Sequence, residues 1–492
     1  MVSLAELDPH SETPLYRQLF ERIKAGIVSG RLARGERLPA TRELAASLGL
    51  NRATVSAAYE LLESEGLIKG HVGRGSFVDG PAARGAGLDW QALLRGAGDV
   101  PEPLLATGED GVSFASSRPA QQLFPLEEFR AACAEVIASD EAGGILQLGS
   151  PGGYPPLRRY LLKEAQAHGI AGPGDDLAVT SGAQQALDLL QRVLVAPGDT
   201  VLMEDPVYPG LRHVFSRAGA RVVGVPVGPD GIELAALERA IQRERPRLLV
   251  VTPNFQNPTG ATLPLAVRRG ILRMAQQAGC ILVENDAYGD LRYEGESLPS
   301  LKELDEAGDV ILLKSFSKLS FPGLRVGWVV GPRPLVARLA EAKQWCDLHT
   351  DQLSQAVLLR FAESGRLAAH RQRVVEAGAE CLAAVLEACA SELPPGAGYT
   401  RPQGGMNLWV RLPAPLDAGD LLPRAVREKV SYLPGRYFGV SRFESGSLRL
   451  SFAGLTPEKI RTGLAILGRL FSEELRRSRA AVRELDPAPA LV

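Results

Sequence analysis

Between residues 113 and 475 the chain repeats one arrangement: a short apolar run of strand length, a helical stretch, then another run. DLAVTSG, TVLMED, RLLVVTPN, CILVEND and VILLKSFS are the runs. Strands separated by helices argue for a largely parallel sheet with helices on both faces, hence an α/β fold for this part. The longest apolar runs, Leu248 to Val251 and Val310 to Leu313, fall far short of the about 20 residues of a membrane helix. With 45% hydrophobic and 23% charged residues, the chain reads as globular, not disordered or collagen-like.

Residues 13–79 form a different unit. Leu15, Leu19, Ile23 and Ile27 keep the 3–4 spacing of an amphipathic helix that stops near Gly30. Thr41 can cap a short helix from Arg42 to Leu48, Gly49 permits a turn, and Asn51 can cap a third helix running to Glu65. Leu67-Ile68 and HVGRGSFV then read as two short strands with a Gly-rich tip. Three helices plus a hairpin is the α+β winged helix-turn-helix plan. Residues 80–112, rich in Gly, Pro and Ala, are expected to be a flexible linker with one short helix around Trp90 to Leu94. Residues 476–492, charged and then Pro/Ala-rich, are expected to be a frayed tail.

The formal net charge of −2 excludes a bulk polyanion binder and leaves room only for a local basic patch. Five Arg (31, 34, 37, 42, 52) against Glu36 and Glu43 supply one, a local +3. A recognition helix presents short polar and basic side chains at its N-terminal end to reach base edges, and Asn51, Arg52, Thr54 and Ser56 stand there. Arg42 is placed to touch phosphate, and His71, Gly73, Arg74 and Gly75 would form the wing tip. Three-helix units also serve as dimerisation or docking domains, so helices and charge alone leave both readings open. The five Cys contain no CxxC pair and signal neither zinc nor a disulfide framework, and the N-terminus lacks the basic-then-apolar order of a signal peptide. A cytoplasmic protein without a metal or a membrane partner is expected.

The segment PLYRQLFERIKAGIVSGRLARGERLPATRELAASLGLNRATVSAAYELLESEGLIKGHVGRGSFV resembles a GntR-family winged helix-turn-helix over its full length. The resemblance implies double-stranded operator DNA as partner, contacted by Arg42, Asn51, Arg52, Thr54, Ser56, His71 and Gly73. Some members carry Arg where Ser56 stands, which leaves the base preference there open.

In the second part, Lys318 follows a strand in a Ser-rich turn with Arg325 seven residues on. A lysine at the carboxyl end of a strand, near hydroxyls and an Arg that could hold a phosphate, suits pyridoxal phosphate, although Ser-Lys turns are common on surfaces. Ser181-Gly182-Ala183-Gln184 lie between a strand and a helix start, where backbone N–H groups can cradle a phosphate. TPNFQNPTG supplies Asn257, and VENDAYGDL supplies a polar cluster ending in Tyr288.

Together these pieces resemble the fold type I, class I/II aminotransferases across nearly all of 113–475. By that resemblance Lys318 is the catalytic lysine that forms the internal aldimine. Ser315, Arg325 and the backbone of Gly182, Ala183 and Gln184, with Ser181 and Ser317 beside them, hold the phosphate of pyridoxal 5′-phosphate. Tyr208 stacks on the ring, Asn257 and Tyr288 hydrogen-bond its phenolic oxygen, and Arg449 clamps an amino acid carboxylate. Two positions depart from the pattern. The usual site carries Asp three residues before the Tyr, where Asn285 stands with Asp286 next to it. Leu148 stands where many relatives place a Tyr that reaches the neighbouring subunit's phosphate.

A winged helix joined to such a domain is the layout of the MocR/GabR family of bacterial transcription regulators. That resemblance implies a homodimeric DNA-binding regulator whose aminotransferase-like domain senses pyridoxal phosphate or an amine or amino acid effector. The alternatives are a working aminotransferase carrying a DNA-binding domain, and a regulator whose second domain is only a dimerisation platform.

Overall fold

The computed structural model describes residues 7–8, 11, 13–71, 75–79, 111–442 and 444–485. The chain divides into two compact units, the first ending at residue 102 and the second beginning at residue 103.

In the first unit, helices α1 (Leu15–Val28), α2 (Thr41–Leu48) and α3 (Arg52–Ser64) precede an antiparallel hairpin of β1 (Ile68–His71) and β2 (Gly75–Val78), with Ile68 opposite Val78. The 3–4 spacing read from the sequence is the core: Leu19, Ile23 and Ile27 pack with Val55, Tyr59 and Leu62. Asn51 caps α3, its side chain accepting the Ala53 N–H at 3.0 Å, and Gly49 ends α2 at φ 65°, where a Cβ would be disfavoured. Thr41 is not the cap of α2. The helix includes it, and Glu43 reaches back from the third position to accept the Ala40 N–H at 3.1 Å. The expected helix around Trp90 lies outside the described residues.

The second unit is built on a sheet of β3 (Asp175–Thr180), β4 (Thr200–Asp205), β5 (Arg221–Gly228), β6 (Leu248–Val251), β7 (Ile281–Asn285), β8 (Ile311–Ser315) and β9 (Gly327–Pro332), in the order β3-β9-β8-β7-β6-β4-β5 with a two-residue edge strand at Gly231–Ile232. The pairings β8–β7, β7–β6, β6–β4 and β4–β5 are parallel, and β9 alone runs antiparallel to both its neighbours. Alternation buries both faces: Val201 and Met203 belong to one apolar cluster and Leu202, between them, to another. The carboxyl ends of β3, β7 and β8 fall on one edge, where Gly327 is the register partner of both Thr180 and Ser315. That edge is where the loops carrying polar side chains gather. Lys302 and Asp175, both buried, pair at 2.9 Å and tie the start of β3 to the loop after β7.

A smaller antiparallel sheet, containing Asn407–Arg411 and Ser447–Ser451, shares a core with the long helices α5 (Arg366–Glu392) and α6 (Pro457–Leu485). Because α6 runs to Leu485, the segment from 476 is not a frayed tail over its first ten residues; Leu467, Leu470, Phe471 and Leu475 bury one side of the helix and carry it onward. Val112–Ser113 pairs with Val430–Ser431, which anchors the segment leading to Ser117. Among the described residues no helix is long and apolar enough to cross a membrane.

Candidate nucleic-acid interface and cofactor pocket

In the first unit the residues proposed to read DNA fall on one end of α3. Val55, Ala58, Tyr59 and Leu62 turn into the core, which leaves Asn51 and Arg52 exposed and Thr54 and Ser56 half-buried at the helix start. Arg42, the second residue of α2, is exposed. The Tyr59 hydroxyl donates to the Pro39 carbonyl at 2.8 Å and fixes the approach of α2 to α3. Arg34 pairs with Asp79 at 3.0 Å, so part of the local positive charge is neutralised. His71 ends β1 in the backbone ladder, and Gly73 lies outside the described residues. Arg37 was visible in the sequence only as a charge. It lies against the wing, where Gly75 has φ +98° and a Cβ would stand 3.2 Å from the Arg37 Nε.

In the second unit a pocket of about 390 Å³ opens at the carboxyl edge of the sheet. One end is made for an anion. Gly182, at φ 80°, precedes helix α4 (Ala183–Leu194), whose first N–H groups lack helical partners. A Cβ at Gly182 would stand 2.4 Å from the Arg325 Nη2, so only Gly lets the guanidinium approach this turn. Arg325 donates to the Ser317 Oγ at 3.1 Å and to the Ser181 carbonyl at 3.3 Å, and the Ser315 Oγ donates to the Ser317 Oγ at 3.0 Å.

The Lys318 amine donates to the Ser117 carbonyl at 2.8 Å and lies 5.6 Å from the centre of the Tyr288 ring. The Asn257 Nδ2 donates to the Tyr288 hydroxyl at 3.2 Å, and the Arg449 Nη1 donates to the Asn257 Oδ1 at 3.1 Å. Burial alone would raise the Tyr288 phenol; the Lys318 and Arg449 cations and the Asn257 amide outweigh it and hold the pKa below the usual phenol range. Tyr208 stands at the pocket wall with 44% of its surface exposed.

Arg449 projects from the small sheet, 3% exposed, over the Phe438 ring. Its Nη2 donates to the Ala115 carbonyl, and its Nε has no partner. Burial pushes its pKa down to about 10, because the nearby groups that favour its charge are the phenols of Tyr288 and Tyr208, not a carboxylate. A buried guanidinium in a pocket whose described lining holds no carboxylate is suited to receive one from a ligand.

Asn285 and Asp286 separate. Asn285 lines the pocket, with its Oδ1 buried and unpartnered. Asp286, expected as an alternative cofactor contact, is turned away: it accepts from the Asn254 Nδ2 at 2.9 Å and lies 3.5 Å from the Lys314 amine. A shift of Asp286 into the place of Asn285 would take from the half-buried Lys314 cation one of its two carboxylate partners and leave it Asp290. Leu148 is exposed and absent from the pocket wall. Below Ser181, Asp347 accepts from the Gln185 Nε2 at 2.6 Å and pairs with the buried Lys343 at 2.5 Å. This support beneath the Ser181 turn was not foreseen.

These features suit pyridoxal phosphate: an anion cradle closed to any residue but Gly at 182, a lysine amine, an amide–phenol pair, and a buried cation in want of a carboxylate. The class so defined is a DNA-reading winged helix joined to a fold type I pyridoxal phosphate domain. The family model described as "Bacterial regulatory proteins, gntR family" matches residues 15–78, and "Aminotransferase class I and II" matches residues 109–467. The 2-aminoadipate transaminase of Thermus thermophilus is 40% identical over 78% of this chain and 97% of its own length. The probable rhizopine catabolism regulatory protein MocR of Rhizobium meliloti is 30% identical over 94% of this chain and 95% of its own. The crystal structure of LysN, the alpha-aminoadipate aminotransferase of Thermus thermophilus, complexed with N-(5'-phosphopyridoxyl)-L-leucine, superposes with a TM-score of 0.73 at 38% identity, covering 79% of this chain and all of that one. The chain belongs to the class I and II aminotransferase family and carries a GntR-family reader ahead of that domain.

Proposed function

We propose that this protein is a pyridoxal phosphate-dependent transcription regulator that binds operator DNA through its first unit and senses an amino acid or amine through its second. The observation that carries the reading is the union, in one chain, of an exposed polar recognition-helix start and a pocket whose buried Arg449 has no described carboxylate beside it. MocR aligns across both units, whereas the Thermus transaminase, matched over 78% of the chain, leaves about a fifth unmatched.

On this reading the N–H groups of Gly182, Ala183 and Gln184, with Ser181, Ser315, Ser317 and Arg325, hold the phosphate. Lys318 anchors the cofactor covalently through its amine. Asn257 and Tyr288 hold the phenolic oxygen, Asn285 faces the ring nitrogen, and Tyr208 covers a ring face. Arg449 receives the effector's carboxylate as a bidentate fork. Bound cofactor supplies an electrophilic carbon that captures primary amines; selecting among those amines falls to Arg449 and the pocket wall.

A homodimer fits the surface. Leu146, Leu148, Trp345 and Leu348 are exposed apolar side chains, Trp345 at 84%. Leu348 lies four residues before Gln352, whose amide donates to the carbonyls of Ile145 and Gln147, so both stretches flank one helix start. Two reading heads would then meet two half-sites in the cytoplasm. An effector that favours one arrangement of the dimer shifts the DNA-competent population by its differential affinity.

The identity to a transaminase favours a second reading, a working aminotransferase with a DNA-binding appendage. The absorption spectrum of the purified, cofactor-loaded protein separates the two when a panel of amines and amino acids is added. A lasting spectral change without 2-oxo acid product is expected. Many cycles of conversion with release of a 2-oxo acid would overturn the regulator reading in favour of the enzyme.

A further inference from the structure

Asn285 brings a neutral amide to the pocket at the end of β7; a half-turn of the amide exchanges Oδ1 and Nδ2, so it can donate to an unprotonated ring nitrogen, and it lacks the charge that would favour a protonated one. A pyridine nitrogen keeps a proton at neutral pH when a carboxylate lies against it, and loses it more readily without that charge. Among the described residues, the acidic side chains around β7 are directed elsewhere. Asp286 is held by Asn254 and Lys314. Asp290 pairs with Lys314 at 3.5 Å and Arg371 at 3.4 Å. Glu284, on the opposite face of the strand, accepts the N–H groups of Leu301 and Lys302 at 2.9 and 2.8 Å. Glu204 accepts the Thr252 N–H at 3.1 Å. The charged residues that line the pocket are Lys318, Arg325 and Arg449, and no described carboxylate stands among them to hold a proton on the ring.

We infer that Asn285 leaves the ring nitrogen of the bound cofactor unprotonated, so that the pocket retains an amino compound without removing its α-proton. Breaking the α-C–H bond sends the proton to a base and leaves an electron pair on carbon. A protonated ring nitrogen draws that pair into the ring; an amide-faced nitrogen does so poorly. Asn285 thereby selects retention of the ligand over turnover. The inference rests on the cofactor reading above and adds to it the residue that keeps the site a receptor.

The test uses full-length protein loaded with pyridoxal phosphate 15N-labelled in the ring, as wild type and as Asn285→Asp. The 15N resonance of wild type is expected at the position of an unprotonated pyridine, and that of Asn285→Asp at the protonated position. Single-turnover conversion of the bound cofactor by an amino acid should speed up by about tenfold or more in the variant, one decade per pKa unit retained by the nitrogen. A protonated nitrogen in wild type would overturn the inference, as would a variant whose resonance and conversion rate both match wild type. Should the variant fold poorly, the wild-type resonance decides alone. An unprotonated nitrogen in a protein whose DNA affinity ignores amines would leave the assignment of Asn285 standing and remove the regulator reading.

Discussion

Replacing Arg449 by Met asks whether the buried guanidinium serves to meet a carboxylate. Burial lowers its pKa from 12.5 to about 10. At about 1.4 kcal/mol per unit, the unliganded cation carries on the order of 3 kcal/mol of desolvation cost. Since 10 lies well above neutrality, the group stays charged and the cost is present at every pH below that value. A ligand carboxylate offsets it. Arg449→Met should therefore remove about 3 kcal/mol from the binding of an amino acid, on the order of a 150-fold loss. The amine that lacks the carboxylate should keep its affinity within a few fold. Calorimetric titration of cofactor-loaded protein with leucine and with 3-methylbutylamine gives both numbers. The amine also reports general damage, because the variant strips donors from Asn257 and Ala115. Equal losses for the two ligands, or no loss for leucine, would refute the reasoning.

Borohydride should fix the cofactor covalently to the peptide containing Lys318, and Lys318→Ala should show no such mass increase. Arg52→Ala should weaken specific operator binding by roughly 1–3 kcal/mol if the side chain reads a base; an unchanged footprint and affinity would remove Arg52 from the reader. Burial raises the Glu204 carboxyl to about 8, so the folded chain holds a proton that the unfolded chain, near 4.5, has released. Stability should then fall as pH rises between about 5 and 8 and level off above. Glu204→Gln keeps the acceptor for the Thr252 N–H and should recover on the order of a few kcal/mol at pH 8.5 but little at pH 5. Denaturant titrations at the two pH values check this, and an equal pH dependence in both proteins would refute it.

Much of this was legible because periodicity writes the core directly. The apolar runs became β3, β4, β6, β7 and β8, and Leu19, Ile23 and Ile27 of the 3–4 pattern became the buried side of α1, with Leu15 left half-buried at its start. Local chemistry was harder to read. A Thr before a helix looks like a cap, yet Glu43 relieved it of that task. At residues 285 and 286 two polar side chains stand next to one another, and only the fold tells which enters the pocket and which answers Lys314. Lys343 and Asp347 stand four residues apart with nothing in the sequence to tie them to the site; their place beneath Ser181, 166 residues away from Asp347, exists only in three dimensions. The helical continuation past residue 476 was hidden by charge, since one apolar side suffices to hold a long amphipathic helix.

The central claim is that ligand in the second unit changes DNA binding by the first. It is tested most directly by measuring the affinity of the cofactor-loaded, full-length protein for an operator selected from random duplexes, with an amino acid titrated to saturation at fixed salt. The regulator reading predicts a shift in affinity or in preferred half-site spacing that saturates with the ligand and is lost in Arg449→Met. Saturation of the pocket, verified by calorimetry, with operator affinity and spacing unchanged would contradict it.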